Sequence, residues 1–221
     1  MTALGVWQTE RAGGFVLALG AAAVVVTSAL YGISPPDAAM PVVPADLAAA
    51  ASGAVRGHAT MHLAGLVGVF GDVLISAAAI LLGGIEVARG RGIAGMGWFL
   101  IAVSTILFAV VDSIVGFVLS QSANEAAFPA VKRLFDVLFL LGTATFGLGV
   151  LGALAGRLVR AGEGARVLHG LAFATGLVAV LSGAAGLLGI GVSPNILGVG
   201  IAGGSTLFTL IGVRFAVTGR P

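Results

Sequence analysis

Long apolar runs dominate the chain and recur six times, separated by short polar or glycine-rich breaks. A bilayer core about 30 Å thick takes about 20 residues of α-helix to cross, and each run meets that length. The apolar residues do not alternate with polar ones, as they would in a membrane β-barrel. We therefore predict six transmembrane helices, over Gly14 to Ile33, His62 to Val87, Ile93 to Leu119, Leu134 to Gly156, Val167 to Ile190 and Ile196 to Ala216. Pro129 fits the first turn of the fourth helix, so that helix can begin before Leu134.

The composition excludes a soluble globular domain. Of the 221 residues, 58% are hydrophobic and 9% are charged, whereas soluble domains carry about 25% charged residues. The fold class is therefore all-α, a polytopic membrane protein with one six-helix domain over residues 1–221. The chain has no cysteine, which excludes disulfides, thiolate metal sites, thiol nucleophiles and covalently attached haem.

Basic residues lie unevenly between alternate connections and predict the orientation of the chain. Eight arginines fall at the termini and in the second and fourth connections: Arg11, Arg89, Arg91, Arg157, Arg160, Arg166, Arg214 and Arg220. Only Arg56, Lys132 and Arg133 fall in the other connections. Cytoplasmic loops carry the excess of Lys and Arg, so we expect both termini in the cytoplasm and a multi-pass location in the cell inner (plasma) membrane.

The first apolar run is also compatible with a signal peptide, because a basic residue precedes it and small residues lie near its end. Its length exceeds the 7 to 15 residues, roughly, of a signal-peptide apolar region, so we expect a retained helix. Residues 34–61 then form an external loop. Asp46 precedes an alanine-rich stretch and is a suitable N-cap for a short interfacial helix.

Three aspartates lie inside the apolar runs: Asp72, Asp112 and Asp136. An acidic residue at a helix centre costs about 2.5 to 3.5 kcal/mol on insertion, so we expect all three to face the bundle interior. At about 1.5 Å of rise per residue, they lie about 15, 10 and 5 Å below the outer ends of their helices. All three therefore belong to the outer half of the membrane.

Helical phase adds small polar residues to these acids, with Ser76 on the face of Asp72 and Thr105 on that of Asp112. We treat Asp72, Asp112, Asp136, Ser76 and Thr105 as candidates for a substrate or ion pocket. The small polar residues and Asp136 each have an alternative, purely structural interpretation. Ser, Thr and Gly on one face serve helix packing, and Asp136 can form an ion pair with Lys132 or Arg133, four and three residues before it.

His58 and His62 are one helical turn apart, a spacing that can ligate a metal ion. The alternative is that both are interfacial polar residues. His169 lies at the opposite membrane surface, so a bis-histidine haem is not expected. The only lysine, Lys132, lies at a helix start, which disfavours a retinal Schiff base. Catalytic and phosphate-binding motifs are absent, as is a basic patch with interleaved aromatics, so we expect no cofactor and no nucleic-acid partner.

Short apolar motifs are similar to those of bacterial six-helix membrane proteins. The second helix carries Val69–Leu74 (VFGDVL) before a basic turn, and the fourth carries Thr145–Leu148 (TFGL), followed by Ala165–Leu168 (ARVL). With the proline-containing outer loop, these resemble domain-of-unknown-function family 4386 over nearly the whole chain. The resemblance implies six helices and no assigned activity, so it transfers no catalytic residues.

The sequence leaves three functional hypotheses. The leading one is a small transporter or ion-handling protein with an outward-facing polar pocket that uses Asp72 and Asp112. The second is a non-catalytic membrane module that binds lipid or a partner subunit, with the acids fixing helix packing. The third is a metal-assisted membrane enzyme built on His58 and His62. The expected partners are the lipid bilayer and a membrane partner subunit or a second copy of the chain.

Overall fold

The computed structural model describes residues 3–41, 46–123, 126–158 and 163–218. Arg160 and Arg220, used in the charge count, lie outside this part of the chain, as do loop residues 42–45. The described residues form helices and connections without a strand. In chain order the helices are α1 (Ala3–Ile33), α2 (Pro36–Ala39), α3 (Leu47–Arg56), α4 (His58–Ala88), α5 (Gly92–Ser113), a π-helical segment (Ile114–Leu119), α6 (Ser120–Ser122), α7 (Phe128–Leu158), α8 (Glu163–Leu187), α9 (Pro194–Gly198), a second π-helical segment (Val199–Gly203) and α10 (Gly204–Thr218).

Six helical stretches in the described residues are long and apolar enough to cross a membrane, which confirms the predicted number. They are Gln8–Ile33, His58–Ala88, Gly92–Leu119, Phe128–Leu154, Arg166–Leu187 and Pro194–Thr218. The protein is therefore a multi-pass integral membrane protein. The second helix begins four residues before the predicted His62, and α7 begins at Phe128 with Pro129 in its first turn, as expected.

The spans form a ring in which each packs against the next in sequence, and α10 returns to pack against α1. Glycines permit the closest approaches. A Cβ on Gly97 would lie 2.1 Å from the backbone nitrogen of Ala153 in α7, and one on Gly14 would lie 2.8 Å from the carbonyl oxygen of Gly212 in α10. Such small-residue contacts are expected where lipid supplies no hydrophobic drive between helices.

The outer surface of the ring is apolar, while polar side chains of the spans turn inward. Phe70, Val73 and Leu181 are each more than half exposed, whereas Asp72 is 2% exposed and Asp112 is 6% exposed. This is the reverse of a soluble protein, and it fits helices that contact lipid. The expectation that the acids face the interior is confirmed.

We call the end of the bundle that holds the start of α1, the 89–91 turn and the end of α10 the terminal end. There, Arg89 donates two hydrogen bonds to the Glu10 carboxylate, at 2.5 and 2.9 Å. These bonds raise the pKa of Arg89 above its usual value, so its guanidinium group stays charged. Arg91 pairs with Glu86 at 3.3 Å, and Arg11 Nε donates to the carbonyl of Ala216 at 2.7 Å. Together with the Gly14–Gly212 contact, these bonds hold the terminal end closed.

The opposite end, which we call the distal end, is covered by α2 and α3. Asp46 caps α3, because its side chain accepts hydrogen bonds from the backbone N–H groups of Ala48 and Ala49. Ala38, Ala39, Ala50 and Ala54 are buried. The 34–57 segment is thus packed onto the bundle as far as it is described.

Candidate functional site

A cavity of about 680 Å³ lies in the distal half of the bundle. Five of the six spans contribute to its walls, and the α8 span does not. Segments 34–40 and 194–195 lie over its distal side. The lining residues are Val24, Thr27, Ser28, Tyr31, Gly32, Ser34, Pro36, Met40, Asp72, Phe108, Asp112, Phe139, Pro194, Asn195, Gly198, Val199, Ile201, Ala202, Gly203 and Thr206.

One face of α1 forms a wall of the cavity. Val24, Thr27, Ser28 and Tyr31 recur at spacings of three and four, which places them on the same side of the helix. Thr27 Oγ1 donates to the carbonyl of Ala64 in α4 at 3.5 Å, and the Tyr31 hydroxyl donates to Asp112 Oδ1. The α1 face therefore contacts the backbone of α4 through Thr27 and the carboxyl group of Asp112 through Tyr31.

Asp112 reaches across from α5 onto α4, where Gly68 leaves room for its carboxyl group. A Cβ on Gly68 would lie 1.6 Å from Asp112 Oδ2. Asp72 lies one turn beyond Gly68 on the same helix, so the carboxyl groups of Asp72 and Asp112 are neighbours in the cavity wall. A hydrogen bond between them requires one to be protonated, since a carboxylate only accepts.

The described residues that line the cavity carry no positive charge. The cavity lining includes no Lys, Arg or His within the described residues. Within the described residues, Oδ2 of Asp72 is buried and has no hydrogen-bond partner. Two neighbouring buried carboxyl groups disfavour simultaneous ionisation, because each negative charge raises the free-energy cost of the other.

Both π-helical segments lie beside the cavity. Ile114–Leu119 begins two residues after Asp112, and Val199–Gly203 supplies four of the lining residues, Val199, Ile201, Ala202 and Gly203. A π-helical turn changes the direction of the following side chains and interrupts regular hydrogen bonding, and such turns are frequent at functional sites.

The cavity has an opening between α1 and the last span. These two helices pack closely through α10 near the terminal end but make few contacts through the second π-helical segment. Gly32, Val199 and Thr206 border the cavity there and are exposed. Thr206 lies at the middle of the Pro194–Thr218 span, so this side of the cavity faces the lipid as well as the distal surface.

Of the five pocket candidates from the sequence, the structure brings Asp72 and Asp112 together at the cavity. Ser76 is buried and donates to the carbonyl of Ala102 at 3.4 Å. Thr105 bonds back to carbonyls of its own helix at 3.1 Å. Neither residue is among those that line the cavity, and both hydroxyl groups bond to backbone carbonyls.

Asp136 forms an ion pair with Lys132, one of the two partners that the sequence offered as an alternative to a pocket role. Lys132 Nζ also donates to the carbonyl of Met40 at 3.2 Å. The pair fastens the 34–40 segment to α7, and neither of its side chains lines the cavity.

His58 and His62 stack with ring centroids 6.4 Å apart. The Nδ1 atom of His62 lies 3.0 Å from the carbonyl oxygen of Gly116, so it carries the proton and donates. Within the described residues, no group of three or more His, Asp or Glu side chains is placed to hold a metal ion. A third protein ligand for these histidines is therefore missing from that part of the chain.

Sequence reasoning missed Tyr31, Phe108 and Phe139 as parts of the site. Tyr31 is the only tyrosine of the chain, and it follows Thr27 and Ser28 on one helical face, a signal that could have identified it. The two phenylalanines carry no such signal, because aromatic residues face both lipid and the interior.

Comparison with family models, curated proteins and solved structures finds no match. The resemblance to family 4386 therefore stays a prediction.

Proposed function

We propose that this membrane protein is a small transporter that exchanges a monovalent cation for a proton at the Asp72–Asp112 carboxyl pair. The observation that carries the proposal is this pair, buried in one cavity with no basic residue in the described lining. Ionisable groups inside a membrane are costly, and they commonly mark ion or proton pathways.

The carboxyl pair is suited to exchange because either a proton or a cation can stabilise it. A proton provides the hydrogen-bond donor that Asp72 lacks, and a bound cation provides the opposite charge. The titratable groups that act on the pair are Asp72 of α4, Asp112 of α5 and Tyr31 of α1. The described cavity lining from α7 and the last span adds none.

The two ends of the bundle support an alternating-access scheme. The terminal end is held by the Glu10–Arg89 pair and by close glycine packing, whereas the distal half contains the cavity. With the orientation expected from the basic residues, the cavity opens on the outer side of the inner membrane. Transport then requires the Glu10–Arg89 pair to separate as the distal gap closes.

Proteoliposomes loaded with a pH-sensitive dye test the proposal. We expect an imposed cation gradient to drive proton movement with the unchanged protein, and Asp72→Asn and Asp112→Asn to reduce this flux at least about tenfold, because neither amide exchanges a proton. Asp46→Asn is the matched control, since Asn remains a good N-cap and Asp46 lies outside the cavity. Equal fluxes in all four proteins would overturn the proposal. If the cavity variants only lower thermal stability, the acids serve packing, as in a non-catalytic module.

A further inference from the structure

We infer that the cavity binds a monovalent organic cation with an apolar body, which enters from the bilayer between α1 and the last span. This inference rests on the proposed function for its exchange step, and it names the class of substrate and its route.

The charge of the site selects a cation. Asp72 and Asp112 are nine-tenths or more buried, line the same cavity and have no basic side chain beside them in the described lining. Asp72 lines this space, and its Oδ2 atom is buried without a hydrogen-bond partner in the described residues. A ligand that donates an N–H or carries a positive charge satisfies that oxygen, whereas an anion would be repelled.

The walls of the cavity select an organic ion over an inorganic one. Calcium takes six to eight oxygen ligands, roughly, and magnesium about six, and the described residues offer no cluster of three metal-ligating acids or histidines. The rings of Phe108 and Phe139 instead line the cavity, with centroids 5.8 Å apart. Aromatic rings and aliphatic side chains favour a cation with an apolar body, through burial and cation–π attraction.

The size of the cavity agrees with this class. A volume of about 680 Å³ lies within the usual range for organic ligands, about 300 to 1,000 Å³. A bare metal ion or a proton needs far less space. The volume therefore fits a molecule of drug-like dimensions with one charged end at the carboxyl pair.

The opening indicates the route. It lies between α1 and the last span, with the exposed residues Val199 and Thr206 on one side and Gly32 on the other. Thr206 is twelve residues into the Pro194–Thr218 span, at its midpoint. A gap that extends this far into the membrane admits an amphipathic molecule directly from the lipid.

Equilibrium binding to the purified full chain in mild detergent tests the substrate class. We expect 4-phenylbutylamine, a cation with an apolar body, to bind at least about tenfold more tightly than the uncharged 4-phenylbutanol or the anionic 4-phenylbutyrate. Asp72→Asn should remove this preference, and Asp46→Asn should keep it. Equal affinities for the amine and the alcohol would overturn the inference, as would an unchanged preference in Asp72→Asn.

The route is tested by the rate of amine uptake into proteoliposomes. Thr206→Trp places a large ring in the gap and should slow uptake at least about tenfold relative to Thr218→Trp, an exposed matched control at the end of α10. Equal rates would overturn the lateral route.

The two proposals fail in different ways. If potassium ions drive proton flux but the amine does not bind, the proposed function is retained and the substrate class is overturned. If the amine binds in a manner that depends on Asp72 but drives no proton movement, the substrate class is retained and the proposed function is overturned.

Discussion

The position of the Asp112 carboxyl group depends on the absence of a side chain at Gly68. The two residues belong to different helices, and the carboxyl group occupies the space that a Cβ on Gly68 would fill. Tyr31 then holds Oδ1 of Asp112 from a third helix. The site is therefore sensitive to a single methyl group.

Replacement of Gly68 by Ala should displace Asp112 from the carboxyl pair and reduce cation-driven proton flux at least about tenfold. The matched control is Gly84→Ala on the same helix, where a Cβ meets nothing within 4 Å. Alanine favours a helix interior over glycine by about 0.5 to 1 kcal/mol, so the control should keep its flux and its stability. Equal fluxes in the two variants would contradict the assignment of Asp112.

Among the elements, the start of α7 fixes the distal side of the cavity. Lys132 joins Asp136 on its own helix to the carbonyl of Met40, and Met40 lines the cavity. The lysine is 1% exposed, so it has little access to water.

Lys132→Met should lower the free energy of unfolding by about 3 kcal/mol, because it leaves the Asp136 carboxylate without its partner. Adding Asp136→Leu removes that unpaired charge and should recover most of the loss. Chemical unfolding in mixed micelles measures both variants. If the single variant is as stable as the unchanged protein, the pair does not anchor the distal segment.

The spans were predictable from the sequence, but their mutual orientation was not. Hydropathy locates each span because lipid requires long apolar runs, and the Lys132–Asp136 pair is local, four residues apart. The contact of Tyr31 with Asp112 joins residues 81 apart in the chain. Apolar residues face both the lipid and the interior here, so the inward face is marked only by polar residues, which do not reveal which helices will be in contact.

The whole molecule is asymmetric, with its cavity at the distal end and its two arginine–glutamate ion pairs at the terminal end. The charge count predicts that the distal end faces outward. Because the natural chain has no cysteine, single replacements provide the only thiol. Ser52→Cys and Gly92→Cys place it at exposed positions of opposite ends.

In intact cells, a membrane-impermeant maleimide should label Ser52→Cys, and it should label Gly92→Cys only after permeabilisation. The unchanged protein is the unlabelled control. The reverse pattern would place the termini outside and the cavity opening toward the cytoplasm.

Modification by dicyclohexylcarbodiimide tests most directly whether Asp72 and Asp112 hold an exchangeable proton in a cavity open to lipid. This apolar reagent reacts with protonated carboxyl groups, and mass spectrometry locates the product. We predict modification of Asp72 or Asp112, at no more than one of them per chain, slowed by 4-phenylbutylamine, while the ion-paired Asp136 stays unmodified. If both cavity aspartates remain unmodified in the membrane-embedded protein, the carboxyl pair does not hold an exchangeable proton in a cavity open to lipid.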